Sequence, residues 1–190
     1  MKVEFLGING SWEDVKNACR TTVGKEATQG EPSKSWKIRA LYSEHSPIRM
    51  IQVHWKWHDL PYWVSVHFSR HKHGIEHFVR TQRTDRTGLD REKLGQGELV
   101  THECVANLQA IINISRKRLC KQASKETREA WIEVLDAVKE HDGELYCVCV
   151  PDCIYRGDCR EFYPCRYENS TCFKRRKEDY DYMLEYVRKK

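Results

Sequence analysis

Ile51, Val53, Trp55 and Trp57 alternate with Gln52, His54 and Lys56. Alternation at period two marks a half-buried strand, with its apolar side chains on a core and its polar ones in water. Cover for that apolar face is expected downstream, where the period changes. Cys104, Leu108, Ile111, Ile112, Ser115 and Leu119 recur at helical spacing and predict one helix over 104–119. Ser124 is a candidate N-cap for the next helix. Its apolar face is Thr127, Ala130, Trp131, Val134, Leu135 and Val138, and Asp142–Gly143 ends it. Nearer the N-terminus, Lys2–Leu6 reads as a strand, Trp12–Arg20 as a helix capped by Ser11, and Ser35–Tyr42 as a further helix. Glu178–Arg188 reads as a closing helix. Gly24–Ser35 and Gly88–Gly97 read as loops. The segment Tyr62–Ser69 is in conflict. Its aromatic and β-branched residues favour a strand, yet Pro61 sits where a helix would begin. Arg70–Thr87 is polar, basic and short of apolar residues.

A chain of 190 residues is long enough to bury a core without disulfides, as one domain with a small appendage. No apolar run approaches the roughly 18–20 residues of a membrane span, and Met1–Ser11 has no long apolar stretch like that of a secretory leader. A cytoplasmic location is therefore expected, with no membrane partner. Lys and Arg number 33 against 28 Asp and Glu, a net charge of +5. Much of the excess lies in Arg70–Arg91 and Lys174–Lys190, and suits an anionic ligand such as a phosphate or nucleotide.

Three groups carry chemistry. Arg70–His71–Lys72, with Arg80, Arg83 and Arg86 behind it, suits a phosphate-rich ligand, because guanidinium forks grip phosphate oxygens. A solvated basic loop would look the same. Asn107, Asn113 and Arg118 share the predicted helix: eleven residues return Arg118 nearly above Asn107, while Asn113 lies about 120° away. Amide side chains can pair with a heterocycle, or merely form the polar side of an amphipathic helix. Glu44–His45–Ser46–Pro47 is a turn ahead of the strand.

Taken in order, these pieces resemble the flavin-dependent thymidylate synthases. Ala18–Cys19–Arg20–Thr21–Thr22 is similar to the family's Ala–Arg–x–Ser helix end. His45–Ser46–Pro47 resembles its His–x–x–Pro segment, one residue shorter. Pro61 and the run into Arg70–His71–Lys72 look like its proline-initiated helix and Arg–His–Arg signature. Asn107, Asn113 and Arg118 match its Asn–x5–Asn–x4–Arg helix, and Ala123, Glu126 and Arg128 fall where it carries a further helix. The resemblance covers residues 12–140. It implies an α+β fold with an antiparallel sheet packed against helices, and a helical Tyr62–Ser69. It implies a homotetramer with FAD and nucleotide at subunit interfaces. The implied reaction moves a methylene group from methylenetetrahydrofolate to C5 of dUMP, with reduced FAD giving the hydride and NADPH restoring the flavin, to form dTMP. Thr22, His45, Arg70, His71, Lys72, Asn107 and Asn113 would hold the flavin. Arg118, Thr81 and Arg83 would act on the nucleotide.

The signature also departs from the family. Ile75–Arg83 lacks the Asn–Glu that precedes the family's Ser, and Thr81 with Arg83 takes the place of Ser and Arg only if one residue is inserted. Two alternatives stay open: a flavoenzyme for another pyrimidine nucleotide, and a non-catalytic member that binds nucleotide or, less expectedly, nucleic acid.

Outside the resemblance lies a segment rich in cysteine, so the chain divides at 1–145 and 146–190. Cys147, Cys149, Cys153, Cys159, Cys165 and Cys172 have no Cys-x2-Cys pair. They are enough for a four-thiolate zinc site, and would equally serve as reduced thiols or disulfides.

Overall fold

The structure is a computed structural model that describes residues 1–189. Its elements run β1 (Lys2–Asn9), α1 (Trp12–Thr21), α2 (Lys34–Tyr42), β2 (Gln52–Pro61), α3 (Tyr62–Ser69), β3 (Ile75–Val79), α4 (Thr84–Thr87), β4 (Leu99–Asn107), α5 (Leu108–Arg118), α6 (Lys125–His141), α7 (Gly143–Val148), α8 (Asp152–Arg156) and α9 (Thr171–Arg188). The four strands form one antiparallel sheet in the order β1-β2-β4-β3. The fold is α+β, as the resemblance implied.

β2 behaves as its alternation predicts. Val53, Trp55 and Trp57 are fully buried on one face. On the other, His54 and Lys56 reach Glu103 of β4 at 2.8 and 2.9 Å. Helices cover the buried face. Trp131 of α6 meets Trp55 edge-on at 5.9 Å, and Phe68 of α3 stacks on Trp57 at 4.5 Å. The indole N–H of Trp57 donates to the Ala130 carbonyl at 3.0 Å.

That packing explains why Tyr62–Ser69 is helical against its propensity. Val64, Ser65 and Phe68 fall on one helical face and are buried. Pro61 caps the helix without a side-chain bond. Loop carbonyls take over its first N–H groups, Tyr62 giving to Glu98 at 2.8 Å and Trp63 to Gln96 at 3.1 Å.

Two expectations are corrected. Arg70–Thr87 is not loop throughout, because Ile75–Val79 forms the edge strand β3 against β4. Nor does the helix begin at Cys104. Residues 99–107 are strand, and α5 starts at Leu108 with Asn107 as its N-cap. A spacing of four suits a residue on a strand as well as one on a helix, so Cys104 joined the helical stripe by coincidence of period.

Most of the core is one cluster from Trp12 to Cys149. A second joins Val150, Ile154, Tyr167, Phe173 and Tyr180, with Tyr42 of α2 packed against it. At the centre of the first, the buried Ser115 hydroxyl donates to Ile111 O at 2.8 Å and accepts from the Trp131 indole at 3.0 Å. Ser115→Ala strands that indole N–H in a dry site, a loss of about 1–3 kcal/mol. Urea unfolding of the variant should show a lower midpoint at unchanged slope; an unchanged midpoint would mean the indole finds another acceptor.

Candidate functional site

The Arg70–Gly74 loop between α3 and β3 is held at both ends. The backbone N–H of Asn107 donates to Gly74 O at 2.8 Å. Gly74 has φ +73°, and a Cβ there would stand 2.4 Å from Asn107 Nδ2, so the position requires glycine. Asn107 Oδ1 in turn accepts from Ala110 N at 2.9 Å and caps α5. At the far end of α5, Arg118 Nε donates to His71 Nε2 at 2.9 Å and its Nη2 to His67 O at 2.5 Å.

This arrangement fixes a basic side chain beside the loop. Arg118 is half-buried, its guanidinium 6.0 Å from the Phe68 ring, and it has no carboxylate partner among the described residues. Burial, then the Arg118 charge, then His77 push His71 down to about 4, so it is neutral at physiological pH. With Nε2 accepting from Arg118, the proton of His71 sits on Nδ1, a donor without a partner among the described residues. His67 is also lowered, by burial first and then by Arg118 and Arg70.

Behind His71 runs a chain of hydrogen bonds. His77 Nε2 donates to His71 O at 2.8 Å. Its Nδ1 is then left to accept, and faces His102 Nε2 at 3.0 Å and Cys104 Sγ at 3.3 Å. All three ligand atoms lie within 4.8 Å of one another, which is also the geometry of a metal site. Hydrogen bonds satisfy that closeness without an ion. Burial keeps His102 neutral, at about 4, and pushes the Cys104 thiol up. His102 Nδ1 is buried without a partner. None of these three residues was singled out in the sequence. The signal was the alternation Val100, His102, Cys104, Ala106 on the buried face of β4, which a helical reading of Cys104 conceals.

The other expected residues fall elsewhere. Asn113 lies on a different side of α5, where Arg116 Nη1 donates to it at 3.3 Å and Gln109 Nε2 at 3.4 Å. Both donors also bind Glu44, and the Arg116 guanidinium stacks on Tyr155 at 3.6 Å. Next to Glu44, His45 is exposed, with Nδ1 3.9 Å from Cys19 Sγ. Thr22 ends α1 and donates to Cys19 O at 2.8 Å. Arg70 and Lys72 are exposed on the loop. Thr81 and Arg83 do not reach Arg118. Arg83 is exposed and closes its fork on Asp85, at 3.0 and 2.7 Å. Within one chain, then, His71, Arg118 and Asn107 are joined by the loop, Thr22, His45 and Asn113 gather beside α1 and α5, and Thr81 and Arg83 stand apart.

No protein-family model and no curated protein matches the sequence. Solved structures do. Flavin-dependent thymidylate synthase ThyX from Helicobacter pylori, complexed with FAD and dUMP, superposes on 79% of this chain and 100% of its own with TM-score 0.64 and 12% identity. PolB from Streptomyces cacaoi, a UMP/dUMP methylase bound with 5-Br dUMP, covers 77% and 93% with TM-score 0.62 and 13% identity. The chain has the flavin-dependent thymidylate synthase fold. At such identity the likeness is one of backbone, reached with largely different side chains.

The neutral histidines generate a test. His71 and His102 titrate near 4 in the folded chain and near 6.5 unfolded, so the unfolded chain binds more protons between those values. Stability is therefore full above pH 6.5 and falls as pH drops toward 5. The thermal midpoint should decline over that window. By NMR, two of the nine imidazoles should not titrate down to pH 5. Nine imidazoles all titrating near 6.5 would refute the buried, neutral assignment.

Proposed function

We propose that the chain is a flavin-dependent methyltransferase acting at C5 of a pyrimidine nucleotide, with dUMP as substrate and FAD as cofactor. The Arg118–His71 pair carries this reading. A half-buried guanidinium with no carboxylate among the described residues, locked by His71 and the His67 carbonyl, suits an anion. Neutral His71 matters here, since a second cation beside Arg118 would repel it. Arg118 and Arg70 would hold the nucleotide's charge, while His71 Nδ1–H offers a directional donor beside them. Lys72 adds a further cation, and the residues fit an anionic nucleotide and an anionic reduced flavin.

FAD would supply the hydride that completes the methyl group, with methylenetetrahydrofolate as the carbon source and NADPH as reductant. Arg70, His71, Lys72 and Asn107 would face it from one side, and Thr22, His45 and Asn113 from another. Asn107 spends Oδ1 on its own helix, so it has only Nδ2 to give. Because these two groups stand on different sides of α5, we place the complete site between copies of the chain, in a homotetramer.

One observation favours testing other pyrimidines. Arg83, expected to assist at the nucleotide, is engaged by Asp85, and Asn–Glu is missing before it. UMP and dCMP therefore belong in the same assay as dUMP. Purified protein should be yellow with a flavin band, and should form dTMP from dUMP, methylenetetrahydrofolate and NADPH by mass spectrometry. Truncation of Arg118 removes a charge-assisted hydrogen bond of roughly 1.5–3 kcal/mol, so Arg118→Ala should bind dUMP about 10–100-fold more weakly while retaining FAD. Unchanged affinity by calorimetry would remove Arg118 from the site, and a colourless protein that takes up no FAD would overturn the enzymatic reading.

A further inference from the structure

Cys153, Cys159 and Cys165 line a small cavity of about 10 Å³ together with Cys120, from the turn between α5 and α6. Among the described residues no three of their sulfurs lie within 4.8 Å of one another, so the cavity is not a four-thiolate metal centre. What the C-terminal segment does bring to the rest of the molecule is an aromatic ring. Tyr155, on α8, lies against α5. Its ring covers the Arg116 guanidinium at 3.6 Å, and its hydroxyl faces the Glu44 carboxylate. Tyr155 has no other ring contact among the described residues and is 41% exposed. One side of the ring is therefore taken, and much of the rest is open to solvent.

Both ends of this stack are fixed. Ile154, the residue before Tyr155, is fully buried in the second core cluster with Tyr167 and Phe173. Beneath the ring, the Arg116 guanidinium donates to Glu44 and, at 3.3 Å, to Asn113. Glu44 has φ +48°, in the left-handed region that a residue with a Cβ keeps only where its surroundings impose it. Arg116 and Gln109 do so, both donating to its carboxylate. The same ion pair neutralises Arg116, so the support beneath the ring carries no net charge. A ring ordered in advance in this way loses little freedom when a second ring is laid on it.

We propose, on the reading of Thr22, His45 and Asn113 as flavin contacts, that Tyr155 is the stacking platform for a planar ring of the flavin cofactor. Arg116 touches both Tyr155 and Asn113, which puts the open aromatic face beside that amide. Asn113 is exposed, and its Nδ2 has no partner among the described residues, because Gln109 and Arg116 both bond its Oδ1. A heterocycle laid on Tyr155 would thus meet an amide donor at its edge, where its own acceptors lie. The segment outside the family resemblance then supplies part of the cofactor site. His45 follows Glu44 directly, so the group that fixes the stack also fixes the backbone leading into a second expected flavin contact.

Titration of the full chain with FAD tests this. Tyr155→Leu keeps apolar bulk but removes the aromatic face, and should weaken FAD about tenfold or more. Tyr155→Phe keeps the face and should bind FAD as the unmutated chain does. So should Phe162→Leu, which removes a fully exposed ring of the same segment. FAD carries two planar rings, and FMN, which lacks the adenine, separates them. Equal weakening of FAD and FMN in Tyr155→Leu puts the isoalloxazine on Tyr155, whereas weakening of FAD alone puts the adenine there. Unchanged FAD affinity in Tyr155→Leu, with FAD bound by the unmutated chain, would overturn the stack and leave the cofactor assignment intact. A loss in Tyr155→Phe as large as in Tyr155→Leu would also overturn it, by assigning the effect to the hydroxyl, as would a matching loss in Phe162→Leu. An unmutated chain that binds no FAD would overturn both.

Discussion

Burial of Trp55 and Trp57 side by side on β2 is the constraint on which the rest of this structure depends. Two indoles present a wide apolar surface, so their cover must be thick. α6 supplies it through Trp131, and its Ala130 carbonyl accepts from the Trp57 indole, while the Trp55 N–H is buried without a partner among the described residues. α3 closes the other side with Phe68. Once α3 is held there, the chain leaves it at Arg70 and has only a short loop in which to turn back into β3. Gly74 and Asn107 fix that turn, and His71 is thereby brought to the end of α5. The candidate site is a consequence of how the tryptophans are covered.

Its electrostatics follow from the same geometry. A guanidinium keeps its charge under burial because it cannot readily lose its proton, whereas an imidazole gives its proton up. The cluster therefore pairs charged Arg118 with neutral His71, with His77, His102 and Cys104 holding the loop backbone from behind. Carboxylates sit elsewhere: Glu44 with Arg116, Glu103 with Lys56 and His54, Asp85 with Arg83. Arg118 is thereby left without a carboxylate among the described residues.

Much of this was legible in the residues. Strong periodicity placed β2 and α6, Ser11 and Ser124 marked the starts of α1 and α6, and Pro61 marked the start of α3. The motif order led to the fold that the superpositions show. What was illegible had a common cause. β3 has five residues on a sheet edge, with His77 as an inward position and Phe78 exposed, so no apolar alternation announces it. Cys104 sits on a strand four residues from a helical leucine, where two periods agree. The thiols gather around a cavity from positions 120 to 165, a separation no spacing rule encompasses.

Sequence alone determined the local matters: which face of β2 is apolar, where helices are capped, and which residue types are present to bind an anion or a metal. These depend on neighbours within a turn or two, and the energies involved are local. Tertiary structure decided the helical state of Tyr62–Ser69, the tautomer and charge of His71, the closing of Arg83 on Asp85, and the company of Cys120. Each depends on burial and on groups far away in the chain, and burial exists only once the sheet and its helices have closed over the same core.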